Sequence, residues 1–225
     1  MHDFYIDRSE AIQIIISVVA ISVAFSLVLG EVSLIVTSPM KFLAWVFFSL
    51  VTIGTGFIFH EMAHKLVAIH YGARARFVMW TQGLGIMLIL ALFGFLFAAP
   101  GAVYIYSNSI TRKENGLISI AGPVTNIIMV IVFLLLAFIL PIHAFGMNLW
   151  VFGAQLNLIL AIFNMLPMFP LDGSKVFAWS QLAWLAFMGL CFAMGMVLLG
   201  MDVLIRYAIL IIIAFVFSSA LRMRF

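Results

Sequence analysis

Two histidines four residues apart, with a glutamate beside the first, make up the segment His60-Glu61-Met62-Ala63-His64. In a helix, residues i and i+4 share a face, so the two imidazoles can converge on one metal ion. Glu61 lies next to them, where a carboxylate can take a proton from a water that the metal activates. The chemistry this pattern predicts is hydrolysis. The setting adds weight, because the segment sits inside an apolar stretch long enough to cross a bilayer. Ionisable groups at such depth are costly and usually functional.

The elements that must position these groups are membrane helices. The 225 residues are 66% hydrophobic and 8% charged, a composition that excludes an ordinary soluble domain. The net charge of +3 comes from scattered basic residues, so no nucleic-acid surface is predicted. Cys191 is the sole cysteine, which excludes an intrachain disulfide and a cysteine metal cluster. Its apolar surroundings predict a buried small hydrophobe. The run Ala11–Leu29 is too long for a signal-peptide core and follows no basic region, so it reads as a retained span. With no repeat or linker in view, the expectation is a single domain over 1–225, with a core at 40–174 flanked by helices at 11–29 and 176–220.

Six runs are long enough to span: Ala11–Leu29, Met40–Ile69, Gly116–Leu140, Leu149–Met168, Val176–Leu199 and Val203–Ala220. The predicted class is therefore an all-α polytopic membrane protein. A further run, Leu84–Ala99, is short, broken by glycine and flanked by the β-prone segments Phe77–Trp80 and Ala102–Tyr106. If it dips into the membrane and returns, Arg74, Arg76, Arg112, Lys113, Lys175, Arg222 and Arg224 share the cytoplasmic face. Lys41 and Arg206 then lie outside, which satisfies the positive-inside bias. A re-entrant, partly β-like element between the second and third spans is thus expected, from about Phe77 to Ser107. The alternative is an ordinary helix with a short return.

A catalytic zinc commonly takes three protein ligands. The second span supplies two, and Asp172 is the best candidate for the third, ahead of Glu31, His70, Glu114, His143 and Asp202. Prolines at 167 and 170 end the fourth helix, and Gly173 is expected to permit a conformation that other residues resist. Asp172 can also cap the helix that follows, and the two roles can coexist. At about 1.5 Å per helical residue, His64 lies roughly 15 Å from Arg74 and His60 roughly 21 Å, near the cytoplasmic side.

The sequence His-Glu-x-x-His on one span, Asn164 to Gly173 at the end of a later one and Gly122-Pro123-Val124-Thr125-Asn126 between them resembles the site-2 protease family of intramembrane zinc metalloproteases. The resemblance implies one zinc ion held by His60, His64 and Asp172, with Glu61 as catalytic base. It also implies that Asn126 and Asn164 act at or near the substrate, a transmembrane protein cut in regulated intramembrane proteolysis. A buried amide can donate to and accept from unpaired peptide backbone; helix–helix hydrogen bonding explains both asparagines equally well. Lys65 is expected to turn its charge to the interface. The short bare core suits a multi-pass protein of a prokaryotic cell membrane. The rival reading is a non-proteolytic metal transporter or sensor, against which Glu61 argues. An inactive relative acting as a membrane chaperone is a third reading.

Overall fold

A computed structural model of the chain describes residues 4–30, 32–95, 100–107 and 109–220. Glu31, the end of the run Leu84–Ala99 at 96–99, Arg222 and Arg224 lie outside the described residues. The protein is mostly helical. Its backbone forms two compact units, Met1–Tyr106 and Ser107–Phe225.

The first unit runs α1 (Arg8–Gly30), α2 (Leu34–Thr37), α3 (Pro39–Ser49), a π-helical turn (Leu50–Gly54), α4 (Thr55–His70), β1 (Arg74–Met79), α5 (Thr81–Leu92) and β2 (Gly101–Tyr106). Helix α1 buries Ile14, Ser17, Val18, Ile21, Ser22 and Phe25, the i, i+3, i+4 spacing of a single helical face. Its serines let neighbouring backbones approach, as small residues do in membrane helices. Ser26 donates to the Ser22 carbonyl at 2.7 Å and meets the Ser49 hydroxyl at 3.3 Å. A Cβ on Gly54 would lie 3.1 Å from a Val18 methyl, so α1 passes close to the π-helical turn there. The π-helical turn sits five residues before the histidine motif, a placement common beside functional sites. Thr52 and Thr55 return their hydroxyls to the Phe48 and Val51 carbonyls, each at 2.7 Å.

Strands β1 and β2 pair antiparallel, with Arg74 opposite Tyr106 and Phe77 opposite Val103, and α5 bridges them. The β-prone flanks read from sequence are thus paired strands. Pairing requires a residue without a side chain at 101. Its φ is +155°, and a Cβ there would meet the Phe77 ring and the Val78 carbonyl, both at 2.6 Å.

The second unit holds α6 (Arg112–Ile139), β3 (His143–Ala144), β4 (Met147–Asn148), α7 (Leu149–Asn164), α8 (Asp172–Trp179), α9 (Gln181–Leu198) and α10 (Met201–Ala220). Thr111 and Glu114 form a reciprocal capping box at the start of α6, which accounts for that glutamate without a metal. The core joins Val130 and Phe133 of α6, Leu158 and Ile162 of α7, Val176 of α8 and Trp184, Met188 and Cys191 of α9. Cys191 is fully buried there, as its surroundings predicted.

Among the described residues, four helical stretches are long and apolar enough to cross a membrane: Arg8–Gly30, Pro39–His70, Arg112–Ile139 and Gln181–Leu198. The expected run Val176–Leu199 is not one helix. Ser180 is extended, ends α8 and accepts the Ala183 amide at 3.2 Å as the cap of α9.

Candidate metal centre

Helix α4 carries the motif. His60 and His64 are buried, their rings are nearly perpendicular, and the two Nε2 atoms lie 3.0 Å apart. Two imidazole nitrogens at about 2.0–2.1 Å from a tetrahedral zinc stand about 3.3 Å apart. A few tenths of an ångström separate the observed pair from that geometry, so the donor set fits the metal. Glu61, one position along, is also buried, and its Oε2 accepts the Val103 amide of β2 at 3.0 Å. The hairpin therefore fixes the orientation of this carboxylate. A T-shaped contact between Phe57 of α4 and Phe77 of β1, centroids 5.9 Å apart, packs the same face of the helix onto the strands.

Lys65 departs from expectation. Rather than reaching the interface, it is buried and donates to both carboxylate oxygens of Glu10 in α1, at 2.6 and 2.7 Å. An acidic partner on a distant helix removes the reason to snorkel. Glu10 lies 55 positions away in sequence, so no local pattern announces the pair.

The remaining predicted residues belong to the second unit. Asp172 is the first residue of α8, one past the capping position, which Leu171 holds. An acidic group there suits the helix N-terminus, and Lys175 lies 3.5 Å from its Oδ1. Gly173 has an ordinary φ, contrary to expectation. What it supplies is space, since a Cβ there would run into the Met165 carbonyl at the end of α7. Asn126 of α6 is fully buried and donates to Asn157 Oδ1 of α7 at 3.1 Å. Asn164, the last residue of α7, donates to the Leu160 carbonyl at 3.0 Å. Gln155 and Asn157 serve packing, donating to the Leu198 and Gly153 carbonyls.

No family model matches the chain. It is 42% identical over 185 residues to a protein of Methanocaldococcus jannaschii named as a zinc metalloprotease, covering 82% of this chain and 91% of that one. The chain belongs to the site-2 protease family. A Bacillus subtilis member, also named as a zinc metalloprotease, is 32% identical over 150 residues, 56% of this chain and 66% of its own length. One from Mycolicibacterium smegmatis is 30% identical over 129 residues, 51% of this chain and 49% of its own. Zinc metalloprotease is thus the name these relatives of the site-2 protease chain carry. The His-Glu-x-x-His helix is where its chemistry must be sought.

Proposed function

We propose that the chain is an intramembrane zinc endopeptidase, cutting transmembrane protein substrates within or near their membrane segments on the cytoplasmic side. The observation that carries the reading is the convergence of the His60 and His64 nitrogens beside Glu61, on the 32-residue apolar stretch Pro39–His70. Its two units act as one catalytic domain. Helices α7 and α10 also cross the membrane, making six spans, and the β1–α5–β2 segment re-enters it. Irregular backbone at that depth is tolerated only against protein or a wet cavity. Relatives from bacteria and archaea support a prokaryotic cell membrane as its location.

His60, His64 and Asp172 would hold the single metal ion. Bound there, zinc supplies Lewis acidity to a water and to the scissile carbonyl. Glu61 accepts one proton from the water as its oxygen attacks the carbonyl carbon. The C–N bond breaks, and Glu61 passes that proton to the departing amine. The Val103 amide on Oε2 keeps the carboxylate aimed through both transfers.

Helical substrate carbonyls are already hydrogen-bonded, so the substrate must unwind. An unwound stretch adds to the outer edge of β2, which replaces the lost bonds. More of the β1 edge is engaged, Phe77 donating to Glu10 at 2.9 Å and Met79 to Gln13 at 3.0 Å, whereas on β2 the Val103 amide serves Glu61 and the substrate would pair on either side of it. Asn164 and Asn126 are the proposed substrate-side amides. Asn164 is the more accessible, while Asn126 has one donor committed to Asn157.

Incubation of the detergent-purified chain with a model transmembrane substrate tests the proposal. Cleavage that a chelator abolishes and added zinc restores is the expected result. Metal flux across vesicles without cleavage would establish the transporter instead.

A further inference from the structure

The catalytic helix carries a buried ion pair that the hydrolytic scheme leaves unused. Lys65 follows His64 directly and, like Glu10, is 2% exposed. Its Nζ bonds both Glu10 carboxylate oxygens and the Tyr5 carbonyl, the last at 2.6 Å, and sits 5.4 Å from the Phe4 ring centre. Taking two charges out of water costs several kcal/mol per ion before their attraction is counted, and an apolar pair is often as stable. Stability alone is therefore a weak reason for a pair in a chain that is 8% charged.

The connections of the pair suggest another reason. Glu10 Oε1 also accepts the Phe77 amide of β1 at 2.9 Å. Phe77 stands opposite Val103 in the hairpin, and the Val103 amide donates to Glu61 Oε2 at 3.0 Å. Glu61 and Lys65 are themselves one turn apart on one face of α4. A closed circuit results, running from Lys65 through Glu10, Phe77 and Val103 to Glu61 and back along the helix. The hairpin is thereby clamped to the catalytic helix at two points, one on each strand.

We propose that Glu10 and Lys65 are positioning residues that hold the β1–β2 hairpin in register against α4, so that the Val103 amide keeps the Glu61 carboxylate aimed. The proposal rests on the reading of Glu61 as the base. Neither residue touches substrate or metal in this scheme. Displacing the carboxylate by a fraction of an ångström lowers turnover and leaves the metal ligands untouched.

The test compares the full chain in detergent with two double variants, Glu10→Leu/Lys65→Met and Glu10→Gln/Lys65→Met. Each removes both charges together, so neither strands a buried ion. Glutamine alone keeps an oxygen for the Phe77 amide. In the leucine variant kcat should fall on the order of tenfold, with KM and zinc content at wild-type values and faster hydrogen exchange at the Val103 amide. The glutamine variant should recover both turnover and protection of Val103. Wild-type kcat in the leucine variant, equal losses in both variants or a loss traced to missing zinc overturns the proposal. Should the leucine variant not fold, Glu10→Ser/Lys65→Met replaces it under the same criteria, its hydroxyl stopping short of the Phe77 amide. If the wild-type chain cleaves nothing, the protease reading falls by itself, and exchange at Val103 still decides the clamp: faster in the variant upholds it, unchanged refutes it.

Discussion

Two imidazoles with facing nitrogens and a carboxylate turned by a strand amide are the smallest units from which the chemistry follows. Replacing Glu61 by glutamine preserves size and a carbonyl oxygen for the Val103 amide but removes the base. Zinc content should stay at one ion per chain while cleavage drops about 10²–10⁴-fold, the range for a lost general base, read by elemental analysis alongside substrate cleavage. Asp172→Asn should behave in the opposite sense. As a lost metal ligand it lowers zinc occupancy and activity together, and excess zinc restores part of the activity; full occupancy after dialysis would exclude Asp172 from the ligand set. The convergence of His60 and His64 was legible because a helix repeats every 3.6 residues, so their spacing dictates a shared face. Lys65 was not, since its partner is Glu10, 55 positions away.

At the scale of elements, the hairpin decides most of what is particular to this site. Gly101 is where it is most sensitive, because a side chain there strikes Phe77 and the Val78 carbonyl. Gly101→Val should cost about 1–3 kcal/mol, seen as a lower melting temperature, and should slow cleavage by loosening the strand that holds Glu61. Asp7, just ahead of α1, ties this corner down. The Glu10 amide donates to it, and that bond, helped by Arg76, holds its carboxyl below the ordinary carboxylate value. The contribution is present above that ordinary value and disappears as pH falls through the lowered one. Exchange at the Glu10 amide should therefore accelerate, relative to its intrinsic rate, only in that acidic window. β-prone residues and a broken apolar run announced strands near 77 and 102, for pleated segments favour such side chains. The break at Ser180 was hidden, because a serine also sits inside an apolar helix by bonding the carbonyl four residues back, as Ser22 and Ser26 do in α1.

Across the whole molecule, apolar composition and basic-residue placement give the topology proposed for the chain in a membrane. Introduced single cysteines test the proposed topology cleanly, because Cys191 is buried in the α9 core. Lys113→Cys should be labelled by an impermeant thiol reagent from the cytoplasmic side and Lys41→Cys from the opposite side; labelling of both from one face would refute the re-entrant arrangement. Membership of the protein family and the helical placement of the His-Glu-x-x-His motif could be read from residue types and short spacings, since these depend on backbone periodicity and solvent preference alone. How the Glu61 carboxylate is oriented, why a lysine is buried beside His64 and which side chain meets Asn126 were settled only in three dimensions. Each depends on groups dozens of residues apart, which no local pattern records and which only the packed chain brings within hydrogen-bonding reach.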